Sequence, residues 1–283
     1  MTPTIAETKR QQAEGSAPPA AELRGGHFRA VVRIAGIVVW TAALTLLWTI
    51  GNLLTLPFPR PRRRWRHNVV KAWARGFGVI LGMRVRVEGR PPKAPFFLVS
   101  NHLTYVDIIL LHGCLDGVFI AKREMRHWPV LGPLANLFGT IWVNREVRRD
   151  AVRVIDAIDE AVARGDGVIL FAEGTTSAGD GILPMRPALF DWAAREQFPV
   201  HYAALTYRTP PGSAPARLAI CWWADMPFGP HAYTLCRLRR FEASVEFGPE
   251  PIVAPTRGEL AQRVHQAISG LFVPVTSERT ARP

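Results

Sequence analysis

The pattern of apolar and polar positions along the 283-residue chain changes character three times. Residues 1–26 are rich in Ala, Glu, Gln, Pro and Gly and have no apolar periodicity, which predicts a disordered tail. The tail is too polar to begin a secretory signal peptide. From Ile34 to Pro59 no residue carries a charge (IAGIVVWTAALTLLWTIGNLLTLPFP). As a helix this run is about 39 Å long at roughly 1.5 Å per residue, against a hydrocarbon core about 30 Å thick. It predicts a membrane-anchoring helix that either spans with tilt or bends at Gly51-Asn52 and stays in one leaflet. A buried core helix is the ordinary alternative, and the flanks argue against it. Arg24, Arg29 and Arg33 precede the run; Arg60, Arg62, Arg63, Arg64 and Arg66 follow it. The heavier cluster on the C-terminal side places the rest of the chain in the cytoplasm.

In the next stretch, WRHNVVKAWARGFGVILGM, Trp65, Val69, Trp73, Phe77 and Ile80 recur at helical spacing. The stripe suits either a packed core face or a helix in the headgroup layer. Beyond Arg84, short apolar runs alternate with helical stretches. The predicted strands are Val85–Glu88, Phe96–Val99, Gly117–Ile120, Thr140–Val143, Val168–Phe171, Val200–Thr206, Leu218–Trp222 and Ser244–Phe247. The predicted helices are Val106–Gly113, Val130–Phe138, Arg148–Arg164, Arg186–Glu196 and Arg257–Leu271. This alternation predicts an α/β layered domain, a largely parallel sheet flanked by helices, behind the N-terminal anchor. The resulting divisions are the tail 1–26, a membrane-anchoring helical region 27–83, a catalytic domain 84–275 and a C-terminal tail 276–283.

Charge narrows the partners. The formal net charge is +12, from 35 Lys+Arg against 23 Asp+Glu, which favours an anionic membrane surface, nucleic acid or phosphorylated substrate. Cys114, Cys221 and Cys236 form no Cys-x-x-Cys pair, as expected of reduced thiols in a cytosol-facing protein.

Ligand sites in such sheets collect beyond the carboxyl ends of strands. Three polar segments fall there. The first is SNHLTYVD, Ser100 to Asp107. His102 and Asp107 are five apart, which on one helix turns them roughly 140° from each other. They meet only if His102 sits in a loop and Asp107 in the first turn of the next helix. Each alone has an ordinary reading, as a loop histidine and a helix N-terminal acid. Together they suggest a His whose tautomer and basicity are set by a carboxylate, as a general base requires. One His and one Asp are too few for a metal site, and no second cluster has ligand spacing. The second segment, FAEGTTSAGDGILP, places Glu173 just past a strand, a turning Gly174, and Thr175, Thr176 and Ser177 with hydroxyls and backbone N–H groups. An ordinary Ser/Thr/Gly-rich turn is the plain alternative. It is no Walker A loop, because it lacks the Gly-Lys-Ser/Thr ending. The third, GTIWVNR, ends a strand on Arg145.

These segments, in this order, resemble the blocks of the glycerolipid and lysophospholipid acyltransferases. NHLTYVD resembles the Asn-His-x4-Asp signature, GTIWVNR the Gly-x-x-Phe-Val-x-Arg block, FAEGTTS the Phe-Pro-Glu-Gly-Thr-x-Ser block, and FPVHYAALTY a later block. The resemblance covers about residues 65 to 225. It implies a membrane-bound O-acyltransferase of lipid biosynthesis that needs no cofactor. A fatty acyl thioester of CoA or acyl carrier protein would react with a free hydroxyl of a lysolipid. His102 would act as base and Asp107 would hold it. Arg145 would bind the acceptor's anionic group, and Glu173, Gly174, Thr175 and Thr176 would shape its pocket. The resemblance makes 1-acylglycerol-3-phosphate the leading acceptor. Thr176, however, stands where the common block has an arginine associated with phosphate recognition, and LFAEGTTSAGDGILP resembles the branch that acylates lyso-ornithine lipid. A non-catalytic, membrane-anchored basic protein binding lipid or nucleic acid is the alternative of another class. The arginines beside the apolar run are already explained by topology, and no nucleic-acid-binding signature is present.

Overall fold

The computed structural model describes residues 25–128, 131–143 and 150–275. The predicted tails, 1–26 and 276–283, lie outside the described residues apart from Gly25 and Gly26. Seven strands form one sheet: β1 (Met83–Glu88), β2 (Phe97–Ser100), β3 (Gly117–Lys122), β4 (Ile141–Val143), β5 (Gly167–Phe171), β6 (Val200–Arg208) and β7 (Phe241–Phe247), in the order β1-β7-β6-β2-β5-β3-β4. The five strands from β6 to β4 are mutually parallel. β7 runs antiparallel to β6, and β1 runs parallel to β7.

The described α-helices are α1 (His27–Leu54), α2 (Pro59–Leu81), α3 (Val106–Cys114), α4 (Leu131–Leu137), α5 (Asp150–Ala163), α6 (Asp191–Arg195), α7 (Ala216–Ala219), α8 (Phe228–Arg237) and α9 (Arg257–Leu271). They cover both faces of the sheet. Leu98, Phe119, Ile169 and Leu205 pack on one face with residues of α2, α3 and α8. Phe97, Val99, Val168 and Leu170 pack on the other with residues of α5, α6 and α9. Burial on both faces is why the central strands read as unbroken apolar runs.

Three expectations need correction. Leu218–Trp222 is no strand. Ala219, Ile220 and Cys221 are fully buried, but on the single turn of α7 and the loop after it. A short apolar run fits either element, and Pro215 at the N-cap starts a helical turn here. Arg186–Glu196 is not one helix but a 3-10 turn, Pro187–Phe190, followed by α6. The apolar run does not bend at Gly51-Asn52; α1 continues to Leu54 and the chain turns over residues 55–58 before α2 starts at Pro59.

Gly51 serves packing instead. A Cβ there would lie 2.1 Å from the Trp65 ring, and one on Gly76 would lie 2.3 Å from the Trp40 ring. Each indole therefore seats on a glycine of the opposite helix. Trp40 Nε1 donates to Trp73 O (3.2 Å) and Trp65 Nε1 to Trp48 O (3.3 Å). The stripe foreseen on α2 is thus a packed face, with Val69 and Trp73 buried. Facing outward, α1 exposes Val31, Val38, Val39, Leu46 and Leu53, and it is long and apolar enough to cross a membrane.

Both ends of the hairpin are tied to the sheet layer. At its start, Arg29 Nη1 donates to Arg237 O (2.7 Å), while Arg33 donates to the carbonyls of Cys236, Leu238 and Arg239 at the end of α8. On α2, Arg66 and His67 both reach Asp166 at 2.7 Å, just before β5.

Candidate active site

β2 ends at Ser100 and releases the chain into residues 101–104 at the carboxyl edge of the parallel strands. Asn101 fixes this exit. Its Nδ2 donates to Leu205 O (3.0 Å) and its Oδ1 accepts from Leu205 N (2.7 Å), so the side chain pairs with β6 as a strand residue would. His102 follows in the loop, and Asp107 lies in the first turn of α3, the arrangement the five-residue spacing requires.

His102 Nδ1 and Asp107 Oδ2 are 2.8 Å apart. The same Oδ2 accepts from the backbone N–H groups of Leu103 (2.7 Å) and Thr104 (3.0 Å). Asp107 Oδ1 accepts from the hydroxyl of Tyr207 at 2.6 Å. Asp107 is fully buried, while the His102 side chain retains 19% exposure. Burial first, and then the neighbouring Asp107, push the Tyr207 phenol well above its ordinary value, so it stays a donor. With a carboxylate on Nδ1, the imidazole keeps its proton there and presents a lone pair at Nε2. Phe171 stacks on the ring with centroids 3.9 Å apart and planes 7° from parallel.

The second predicted segment closes around the first. Glu173 is buried past β5, and its Oε1 accepts from His102 N (3.1 Å) while Oε2 accepts from Leu183 N (3.3 Å). Ser177 N donates to His102 O (2.9 Å). Burial raises the Glu173 carboxyl well above the usual range, against the lowering effect of those two N–H donors. Gly174 has φ 76°, a left-handed turn that favours glycine, and Thr175 and Thr176 are half-buried beyond it. The Ser177 hydroxyl is buried and has no hydrogen-bond partner among the described residues. Glu173 and the Ser/Thr loop are thus brought to His102 and Asp107. Arg145 lies two positions beyond β4, outside the described residues. Among the described residues, no three His, Cys, Asp or Glu side chains gather as a metal site.

Sequence reasoning passed over Asn101, Phe171 and Tyr207. A strand-end signal existed for Tyr207: it sits near the carboxyl end of β6 on the same face as Ala203 and Leu205. An imidazole held by a buried carboxylate, with its far nitrogen unpaired among the described residues, can take a proton from a hydroxyl and return it to a leaving group.

The family model described as "Acyltransferase" matches residues 84–205. The lyso-ornithine lipid O-acyltransferase of Brucella abortus is 33% identical over 254 residues, covering 85% of this chain and 94% of that one. The 1-acyl-sn-glycerol-3-phosphate acyltransferase of Neisseria gonorrhoeae is 30% identical over 228 residues, covering 79% and 85%. Among solved structures, the 1-acyl-sn-glycerophosphate acyltransferase of Thermotoga maritima shares the fold, with a TM-score of 0.60 at 18% identity, over 90% of this chain and 100% of that one.

Proposed function

We propose a reaction from one premise: this chain belongs to the acyltransferase family of lyso-ornithine lipid and 1-acyl-sn-glycerol-3-phosphate acyltransferases. The reaction is transfer of a fatty acyl group from a thioester, carried on CoA or acyl carrier protein, to the free hydroxyl of a lysolipid. The observation that carries it is the His102–Asp107 contact of 2.8 Å at the strand edge. His102 Nε2 removes the hydroxyl proton as the oxygen attacks the thioester carbonyl. Asp107 stabilises the imidazolium that results. On collapse of the tetrahedral intermediate, His102 returns the proton to the departing thiolate. Holding both substrates at one base suffices, without an acyl-enzyme. Arg145 binds the acceptor's anionic group.

For the acceptor, lyso-ornithine lipid now stands ahead of 1-acylglycerol-3-phosphate, reversing the order drawn from the sequence. Its headgroup has a carboxylate and an amine but no phosphate, which suits threonine rather than arginine at position 176. The second reading keeps support from the Neisseria gonorrhoeae relative. A labelled acyl thioester offered with a panel of lysolipids decides between them by comparing kcat/KM.

The protein acts at a membrane through the outward face of α1. Because α1 is packed along α2 by the Trp–Gly contacts, and α2 carries Arg60, Arg62, Arg63, Arg64 and Arg66, we favour a hairpin embedded in one leaflet over a helix that spans alone. The arginine excess after the apolar run favours the cytoplasmic face.

A further inference from the structure

A cavity of about 450 Å³ lies at the opposite edge of the sheet from His102. Its lining includes Arg63, Arg64 and His67 of α2, Lys93 before β2, and Cys114 and Asp116 before β3. β5 separates it from the catalytic edge, since Asp166 precedes that strand and Glu173 follows it, a distance of roughly 20 Å at 3.3 Å per residue.

The cations here are unequally committed. His67 is held by Asp166, and Arg63 donates to Gly165 O at 2.8 Å. Asp116 is paired with Lys71 at 2.7 Å. Among the described residues, Arg64 and Lys93 have no carboxylate partner. The cavity thus joins two uncommitted cations to a third whose guanidinium is already oriented. Its volume is within the range of about 300–1,000 Å³ typical of small-ligand sites. Two guanidinium forks and an ammonium around one space match the several oxygens of a phosphate better than a single carboxylate.

The surroundings suggest where such a phosphate comes from. Leu54, Leu56 and Phe58 are exposed at the turn between α1 and α2. Arg64 is six residues past Phe58, about 9 Å along the helix at 1.5 Å per residue. The headgroup layer is about 5–7 Å deep on each side of the hydrocarbon. With the apolar turn in the hydrocarbon, the Arg64 side chain is level with the lipid phosphates. We propose that this cavity binds a phosphate group, supplied by an anionic phospholipid headgroup, as a site separate from the acyl-transfer centre.

Cys114 provides the readout. It is half-buried in the lining, whereas Cys221 and Cys236 are buried. The full-length protein is alkylated with iodoacetamide at alkaline pH, because burial raises the Cys114 thiol. It is held on saturating vesicles of phosphatidylcholine alone or of a phosphatidylcholine–phosphatidylglycerol mixture, with no turnover required. The anionic vesicles are expected to slow Cys114 alkylation about 5-fold relative to neutral ones. Arg64→Gln/Lys93→Gln, which changes two exposed side chains, abolishes that protection. Arg84→Gln/Arg86→Gln, removing the same charge from the exposed edge strand β1, retains it. Millimolar inorganic phosphate with neutral vesicles forms the other arm. Protection there that is lost in Arg64→Gln/Lys93→Gln, with none from the anionic vesicles, keeps the phosphate site but overturns its lipid source. Protection that is absent throughout, or equal in the two double variants, overturns the site.

Discussion

The hydroxyl of Tyr207 and the carboxylate of Asp107 meet at 2.6 Å although 100 residues separate them. The register of β2 on β6, with Ser100 opposite Ala203, brings the two strand ends together. Tyr207 therefore anchors Asp107 from the sheet, while Leu103 and Thr104 hold it from the loop.

Tyr207→Phe should lower kcat about 10-fold, the order expected on losing a hydrogen bond to a charged group. The buried Oδ1 then lacks its partner on β6. An unchanged rate would show that Asp107 needs no anchor from β6.

His102→Ala should reduce acyl transfer by about 10²–10⁴ in a protein that still folds. Asp107→Asn is the sharper test. Its amide oxygen can take the three Oδ2 contacts and its NH₂ can donate to Tyr207, so geometry is kept and only charge is lost. We expect a loss of at least about 100-fold. Near-normal turnover in His102→Ala would remove His102 as the base; in Asp107→Asn it would show that the Asp107 charge is not needed.

Thr176→Arg should raise the preference for 1-acylglycerol-3-phosphate over lyso-ornithine lipid, through charge-assisted bidentate bonds to phosphate. Arg145→Ala should weaken use of both, since both carry an anionic group. The ratio of kcat/KM for the two acceptors is the measurement. A ratio unmoved in an active Thr176→Arg enzyme means that this position does not read the headgroup.

Asp166 offers a pH test of the hairpin's attachment. Its burial acts to raise the carboxyl, but the hydrogen bond from His67 and the charge of Arg66 outweigh that and hold it at about 2. A lowered carboxyl contributes stability that is complete above its unfolded value of about 3.8 and is lost as pH falls towards 2. Asp166→Asn should cost about 2 kcal/mol at neutral pH, and the gap from wild type should close in acid. Denaturant titrations at several pH values would test this; a pH-independent gap would refute it.

Gly51→Val should force α1 and α2 apart at the Trp65 ring and cost about 1–3 kcal/mol. Thermal unfolding in detergent should register the loss, whereas Gly229→Ala, where an added Cβ meets nothing, should not. Equal melting of both variants would mean that the contact has slack.

How much the sequence revealed depended on distance along the chain. The His102–Asp107 contact was legible because it closes within one loop and one helical turn. α9 was read to its ends, Arg257–Leu271, since its apolar period is regular and Thr256 caps it. α8 escaped notice because Gly229 and Pro230 obscure its period, although the first turn of a helix tolerates proline. The reversal of β7 was illegible, as nothing in the 209–240 connection signals direction. Tyr207 could not be paired with Asp107 before the strand register was known, and Arg145 lies outside the described residues.

The ties at both ends of α1 have a mechanical consequence. The helix runs from the end of α8 to the Trp65 seat, and its 28 residues measure about 42 Å. On the proposed one-leaflet reading, a rod of that length, tied to the end of α8 at its start and through α2 to Asp166 at its far end, would suppress pitching of the domain. A tether at one point would leave the catalytic mouth free to swing in and out of the interface. Held in this way, the enzyme would diffuse in the plane at constant attitude. A lysolipid approaching sideways then needs only to find the right position, because the orientation is already set.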